Sequence, residues 1–154
     1  MSTTATYHTS VSWSGAHRGQ VVMGNGPSMV FSAPPDAHGE AGVLTPEDAF
    51  VAAANTCVML MFIWAAERFR LPLRGYECRA EGTKVVLLDR TERFTRLVLR
   101  PVIRLAAASD EVAAVEARTR RAVQAAQKCS LVANSVTADV IIEPEITVEP
   151  VGAV

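Results

Sequence analysis

The order of the sequence patterns predicts an α+β fold. Two long segments have helical character, and both are flanked by segments in which apolar and polar residues alternate as in strands. The order is strands, helix, long hairpin, helix and strands, which differs from the strand–helix alternation of parallel α/β proteins. At 154 residues the chain can build a core of its own, and we expect a single domain over 1–154.

The N-terminal part predicts short strands joined by glycine-containing turns. Three strands are expected, over 7–13, 20–23 and 29–31. Glycines between them mark the turns, at 15–19 and 24–27. Residues 32–43 contain two prolines and two glycines and are expected to form a loop.

The first helix is predicted from Thr45 to about residue 70. Thr45 is a favourable N-cap, Pro46 suits the first helical position, and the acidic residues Glu47 and Asp48 complement the helix dipole. The helix is expected to stop before Pro72, which cannot continue it.

Between residues 49 and 66 this helix is almost wholly apolar, interrupted by Asn55 and Thr56. A run of 18 apolar residues would suffice to span a membrane. Its alanine-rich composition and central polar pair instead favour a helix covered by a sheet and a partner subunit. Residues 1–19 contain no apolar signal segment, so we expect a cytoplasmic protein without membrane insertion.

A long antiparallel hairpin is predicted next, with strands over 75–88 and 93–105. Pro101 within the second strand suggests an edge position or a bulge, because proline cannot donate to the ladder. A second helix is expected from its cap Ser109 to about Lys128, with apolar residues at helical spacing. Two short strands close the chain, over 138–142 and 146–148.

Composition and motifs exclude several classes of function. A net charge of −1 gives no electrostatic basis for binding nucleic acid. No glycine-rich phosphate loop is present, so neither a nicotinamide nor a flavin cofactor is expected. No metal is expected either, because the histidines have no ligand spacing. Zinc binding by Cys57, Cys129 and one histidine stays open as an alternative, although the sequence has no Cys-x-x-Cys or His-x-x-x-His pair that would support it. The histidines lie in the N-terminal third, as His8, His17 and His38.

The three cysteines are too few for the disulfide framework of a secreted protein. Cys57 lies inside the first helix and Cys129 at the end of the second, whereas Cys78 lies in a strand and receives no role. Two thiols on central helices fit a peroxide-reducing pair. One sulfur attacks the oxidant and becomes a sulfenic acid, and the other converts this sulfenic acid to a disulfide. On spacing alone, the interpretation of both as small core residues is the favoured one.

The residues around both cysteines resemble one known family. The segment TPEDAF (45–50) followed by Cys57, and the segment CSLVANS (129–135), are similar to the OsmC/Ohr family of thiol-dependent hydroperoxide reductases. The order of the predicted elements is also similar, so the resemblance covers nearly the whole chain. It implies antiparallel sheets around two central helices, in an intertwined homodimer with its sites at the interface.

The resemblance also implies roles for single residues. Cys57 corresponds to the peroxidatic thiol and Cys129 to the resolving thiol, which would form a Cys57–Cys129 disulfide that an external dithiol reduces. Arg18 is similar to the arginine that stabilises the thiolate, and Glu47 to the glutamate that holds this arginine. The turn geometry leaves open whether Arg18 or its neighbour His17 faces the site.

Helix geometry limits how these residues can meet. Ten residues of straight helix separate Glu47 from Cys57 by about 15 Å. An arginine touching both must therefore bridge either a break in the helix, for which Asn55-Thr56 is a candidate, or a subunit boundary.

The chain departs from the organic-hydroperoxide branch of the family at two points. Ser130 stands where that branch typically has proline, and residues 52–56 lack that branch's glycines and tyrosine. These departures favour a general OsmC-like member and leave the preferred oxidant open. The apolar residues around Cys57, namely Met59, Met61, Phe62 and Trp64, favour organic hydroperoxides, with inorganic peroxide as a further candidate. A non-catalytic dimeric module binding an apolar ligand is the alternative, followed by purely structural dimerisation.

Overall fold

A computed structural model describes residues 1–152 and has the α+β fold that the sequence predicts. The chain divides into two compact units, Met1–Phe50 and the part from Val51 onward, and each is described by itself. The single domain over 1–154 therefore stays a prediction.

The first unit contains a three-stranded antiparallel sheet in the order β1-β2-β3. Its strands are β1 (Thr9–Gly15), β2 (Arg18–Met23) and β3 (Ser28–Ser32), which confirms the three predicted strands. The predicted turn at 15–19 is too long, because Arg18 and Gly19 already belong to β2. Gly19 must be glycine in this sheet, because a Cβ there would lie 2.5 Å from the carbonyl oxygen of Ser12. This tight packing holds the start of β2, and with it Arg18, in a fixed register.

The loop after β3 folds back towards the start of β2. The backbone N–H of Ala33 donates to the carbonyl of His17 at 3.0 Å. The buried hydroxyl of Ser32 accepts a hydrogen bond from the N–H of Glu40 at 2.8 Å. A short 3-10 turn, Pro35–Ala37, lies between these anchors. The loop is therefore ordered by its own hydrogen bonds, and Glu40 returns to the beginning of β2.

Helix α1 (Pro46–Arg68) begins where the sequence predicts. The hydroxyl of Thr45 accepts a hydrogen bond from the N–H of Asp48 at 3.1 Å, which is the expected N-cap. By length and composition α1 could span a membrane, a property that it shares with core helices of soluble proteins.

The break proposed at Asn55-Thr56 is wrong, because α1 is continuous through both residues. The Asn55 side chain donates to the backbone carbonyl of Cys78 at 3.2 Å. The Thr56 hydroxyl donates to the carbonyl of Ala52, one turn earlier, at 2.8 Å. Both polar side chains find partners without disturbing the helix, so neither has to interrupt it.

The second unit contains a four-stranded sheet built around one long strand. Its strands are β4 (Leu73–Val86), β5 (Glu92–Ala108), β6 (Asp139–Ile142) and β7 (Glu145–Val151). The β4–β5 hairpin is antiparallel, as predicted, but β6 and β7 both run parallel to β5. Helices separate β5 from β6 in the chain, and such a crossover returns the chain in the parallel direction.

Pro101 lies in the interior strand β5, not at an edge, and the irregularities in register fall elsewhere, at Leu73/Gly75 and Thr83/Lys84. Along one side of β5, β6 ends opposite Leu99 and β7 begins opposite Val102. Pro101 therefore occupies the gap between two successive partner strands, where the sheet tolerates a residue that lacks an N–H.

Two further helices complete the second unit, α2 (Val112–Cys129) and α3 (Leu131–Ser135). The predicted cap Ser109 is wrong, since Glu111 occupies the N-cap position without a side-chain bond. The core is formed by one stripe from α1, one face of α2 and the inner face of β5. The α1 stripe repeats every four residues, as Ala54, Val58, Phe62 and Ala66.

Candidate functional site

The half-buried Cys57 lies on α1 and contacts the junction between α2 and α3. Its neighbours Ala54 and Val58 belong to the buried stripe, so the helix face that carries Cys57 borders the core. The sulfur of Cys57 accepts a hydrogen bond from the Ser130 hydroxyl at 3.3 Å. Cys57 is a free thiol, as are Cys78 and Cys129.

Two opposing effects act on the Cys57 thiol. Burial raises its pKa, but hydrogen bonds from the Ser130 hydroxyl and from the backbone N–H groups of Val132 and Leu131 lower it by more in sum. The pKa of Cys57 therefore lies below the ordinary value for a thiol. Since the thiolate is the nucleophile, this environment makes Cys57 more reactive at neutral pH than an unassisted cysteine.

The donors around Cys57 come from the local sequence after α2. Ser130 has an extended backbone, with φ −65° and ψ 116°, and separates the end of α2 from the start of α3. Its hydroxyl accepts the N–H of Ala133 at 3.2 Å, as an N-cap serine does. The side chain of Asn134 donates to the carbonyl of Lys128 at 2.9 Å and ties α3 to the end of α2.

Cys129 is the last residue of α2 and is exposed. It immediately precedes Ser130, whose hydroxyl touches the Cys57 sulfur. Adjacent Cα atoms are about 3.8 Å apart, so the backbone of Cys129 lies one residue from the group that contacts Cys57. The structure thus brings together the chain segments of the two cysteines that the sequence singled out.

Arg18 opens β2 and forms an ion pair that the sequence did not predict. Its Nη1 lies 3.0 Å from Oε2 of Glu40, and both side chains are about half exposed. Glu47 does not occupy this position. Its Oε2 is buried and has no hydrogen-bond partner among the described residues. Within this single chain, Glu40 takes the carboxylate position that the family resemblance assigned to Glu47.

Sequence reasoning missed Glu40 because no spacing rule links a loop glutamate to an arginine 22 residues away. It also missed the hydroxyl of Ser130, which is separated from Cys57 by 73 residues. For Ser130 there was a signal, because a serine just before a short helical segment is a favoured N-cap.

His17 and Arg18 have different partners. The ring of His17 lies 5.9 Å from that of His38, with the rings tilted by 31°. Arg18 contacts Glu40 instead. That Arg18 acts at Cys57, and not its neighbour His17, stays a prediction.

Cys78 belongs to β4, and its backbone contacts a side of α1 other than the side that carries Cys57. Asn55 contacts the carbonyl of Cys78, and positions 55 and 57 of a helix point about 160° apart. Burial raises the pKa of the Cys78 thiol, while interactions with the Tyr76 side chain and the Arg100 backbone only partly offset that effect. Cys78 is therefore the less reactive thiol and does not share the environment of Cys57.

No group of three metal-ligating His, Cys, Asp or Glu side chains occurs within residues 1–152. The first unit contains an open apolar groove of about 210 Å³. It is lined mainly by Val11, Val21, Met23, Phe31 and Leu44.

Comparison with solved structures identifies the same architecture in proteins of low sequence identity. An OsmC-like protein of unknown function from Vibrio cholerae is 22% identical, with a TM-score of 0.81 over 92% of this chain and 99% of that one. An organic hydroperoxide resistance protein from Legionella pneumophila is 17% identical, with a TM-score of 0.69 over 95% and 99%. The organic hydroperoxide resistance protein OhrB of Bacillus subtilis is 16% identical, with a TM-score of 0.60 over 93% and 98%.

No curated protein matches the sequence significantly. The profile of the OsmC-like protein family matches residues 39–145, which include both Cys57 and Cys129. This match covers more than half of the sequence, and the chain therefore belongs to the OsmC-like protein family.

Proposed function

We propose that this protein is a cofactor-free thiol peroxidase that reduces organic hydroperoxides. The observation that carries the proposal is the environment of Cys57, whose sulfur accepts the Ser130 hydroxyl and whose pKa lies below the ordinary thiol value. Membership of a family that includes hydroperoxide resistance proteins supports the same chemistry.

In the first step the Cys57 thiolate attacks one oxygen of the peroxide. A sulfur–oxygen bond forms as the oxygen–oxygen bond breaks, and the leaving alkoxide takes up a proton to become an alcohol. The peroxide gains two electrons, and Cys57 becomes a sulfenic acid. Hydrogen peroxide would react in the same way and release water.

In the second step Cys129 attacks the oxidised sulfur. A disulfide forms between Cys57 and Cys129, and the hydroxyl of the sulfenic acid leaves as water after protonation. An external dithiol then returns both cysteines to thiols by exchange. The exposure of Cys129 supports this role, because both the resolving step and the reductant need access to it.

We assign Arg18 and Glu47 to the same site across a subunit boundary. With α1 continuous, Glu47 and Cys57 are separated by about 15 Å along the helix, so one arginine cannot reach both by a local bend. The buried, unpartnered Oε2 of Glu47 supports a cation supplied by a second copy of the chain.

The apolar face near Cys57 supports an organic substrate. Leu60 and Met61 follow Cys57 by three and four residues and therefore share its side of the helix. Leu60 is 49% exposed and available to an apolar peroxide. Phe62 does not contribute, because it is buried against the ring of Tyr76 at 5.3 Å.

Thiol titration before and after addition of a hydroperoxide tests this function. The wild type should lose two thiols per chain and release one equivalent of alcohol. Cys57→Ser should abolish turnover while the fold is retained. Cys129→Ser should permit one oxidation of Cys57 and no intramolecular disulfide, detectable by mass spectrometry.

Cys78→Ser is the matched control, and it should retain full turnover. Full activity of Cys57→Ser would contradict the proposal. A Cys57–Cys78 disulfide in the oxidised wild type would show that Cys129 is not the resolving thiol.

The apolar groove of the first unit favours a second candidate, a binding module for an apolar ligand. That function predicts binding of an apolar fluorescent probe without any loss of thiols when hydroperoxide is added. The thiol titration therefore separates the two functions.

A further inference from the structure

We propose that the Ser130 hydroxyl is a catalytic hydrogen-bond donor that holds the Cys57 sulfur in its reactive, deprotonated form. This inference rests on the proposed peroxidase function and deepens it, because it names the group that prepares the nucleophile. Ser130 touches the reacting atom itself, with 3.3 Å between its hydroxyl oxygen and the Cys57 sulfur.

The second hydrogen bond of Ser130 fixes the direction of the first. A serine hydroxyl offers one hydrogen and two acceptor lone pairs. One lone pair accepts the N–H of Ala133, which caps α3. With the oxygen held in this way, its hydrogen is available to the Cys57 sulfur.

Burial of Ser130 increases the effect of its hydrogen bond on the Cys57 sulfur. Ser130 is 0% exposed, so bulk water cannot replace the Cys57 sulfur as the acceptor of its hydrogen bond. A buried hydroxyl without a partner costs free energy, and a hydrogen bond to an ionised acceptor is stronger than one to a neutral acceptor. The environment around Ser130 therefore favours the thiolate over the thiol.

Few other titratable side chains belong to the elements that meet at this point. Between residues 49 and 66, α1 carries no titratable side chain besides Cys57, and α3 carries none. The end of α2 contributes Lys128 and Cys129, both exposed. The side-chain donor to the Cys57 sulfur is the neutral Ser130, and loss of its hydroxyl should be visible in the titration of Cys57.

The test measures the pH dependence of Cys57 alkylation by iodoacetamide, in a Cys78→Ser, Cys129→Ser background where Cys57 is the single thiol. Ser130→Gly removes the hydroxyl, while glycine remains an acceptable N-cap, so α3 is largely retained. Ser130→Ala removes the hydroxyl and the cap together. We expect both variants to raise the pH midpoint by about one unit, which lowers the thiolate fraction about tenfold near neutral pH.

Ser135→Ala is the matched control, because the Ser135 hydroxyl donates only to the carbonyl of Leu131 within α3. It should leave the midpoint unchanged. An unchanged midpoint in both Ser130→Gly and Ser130→Ala would overturn the inference. Alkylation requires no peroxide turnover, so a shifted midpoint in a protein that reduces no peroxide would support the Ser130 role and contradict the peroxidase function alone.

Discussion

At Cys57, hydrogen bonding outweighs burial, whereas at Cys78 burial prevails. The pKa values of the two thiols therefore shift in opposite directions although both thiols are half-buried. Because the folded pKa of Cys57 is depressed, its ionisation stabilises the fold above the unfolded-state pKa, and this stabilisation is lost as pH falls through the folded pKa. The reaction rate should decline over the same interval, since the thiolate is lost there.

Arg18→Ala should slow peroxide reduction at neutral pH, by about tenfold or more, with partial recovery in alkali. In the proposed site Arg18 of a second copy lies close to Cys57, and a nearby cation favours the thiolate. Its removal should therefore raise the pKa of Cys57 and move the pH midpoint of the rate upward. Glu47→Ala should act in the same direction but more weakly, because in the proposed site Glu47 acts only by positioning Arg18 of the second copy. Rate–pH profiles measure both effects.

Arg120→Ala is the control for this series, since Arg120 pairs with Glu116 on an exposed face of α2. The loss of peroxide reduction should be largest for Cys57→Ser, smaller for Arg18→Ala and smallest for Glu47→Ala. A larger defect in His17→Ala than in Arg18→Ala would show that the neighbouring residue faces the site.

At the scale of secondary structure, α1 is stabilised mainly along one stripe. Phe62 is 1% exposed and stacks on Tyr76, with ring centroids 5.3 Å apart. The Tyr76 hydroxyl is buried without a hydrogen-bond partner of good geometry in the described part of the chain, and burial raises its pKa. The aromatic contact therefore joins α1 to β4 chiefly through apolar surface.

Phe62→Ala should lower the free energy of unfolding by about 3–5 kcal/mol, because it removes a buried aromatic ring and leaves a cavity. Chemical denaturation measures the loss. Tyr7→Ala is the control, since Tyr7 is 87% exposed and its removal should change stability by less than about 0.5 kcal/mol. A comparable loss in both variants would contradict the assignment of Phe62 to the core.

The order of the elements was predictable because local signals marked it: Thr45 with Pro46 at the start of α1, glycines in the turns, and alternation in the hairpin. The continuity of α1 was not predictable, since the partner of Asn55 is the carbonyl of Cys78 on a different element. Pro101 was misjudged for a similar reason. Its tolerance depends on where two later strands begin and end along β5.

The site shows the same division between local and distant signals. The local context of Cys57 and Cys129 singles out these residues from the sequence alone. The contacts of Cys57 with Ser130 and of Arg18 with Glu40 depend on chain folding over 73 and 22 residues, and no local pattern encodes them.

For the whole molecule, the main feature is apolar surface left uncovered in a single chain. Only 28% of the most apolar window of α1 is buried, and Trp64 is 60% exposed. The sheet of the first unit also exposes Val11 and Trp13. Extensive exposed apolar surface marks an interaction site, and a second copy of the chain is the partner that we propose.

The protein should therefore sediment as a homodimer at micromolar concentration without detergent. Trp64→Glu should dissociate the dimer, because it introduces a charge into the apolar face of α1. Val151→Glu is the control, since Val151 is exposed on a different element, β7. A stable monomer, or recovery of the protein with membranes, would contradict the dimer and remove the subunit-boundary role of Arg18.

The long strand β4 pairs with β5 along one edge, and no strand among residues 1–152 pairs with its other edge. Unpaired edges recruit strands from other molecules unless charge or irregular geometry prevents it. Here Glu77 and Glu81 lie on one face of β4 and pair with Arg104 and Arg100 on the neighbouring strand β5. An incoming strand would have to desolvate these charges. In a chain that is 49% hydrophobic, these charged pairs on β4 therefore oppose extension of the sheet at its free edge.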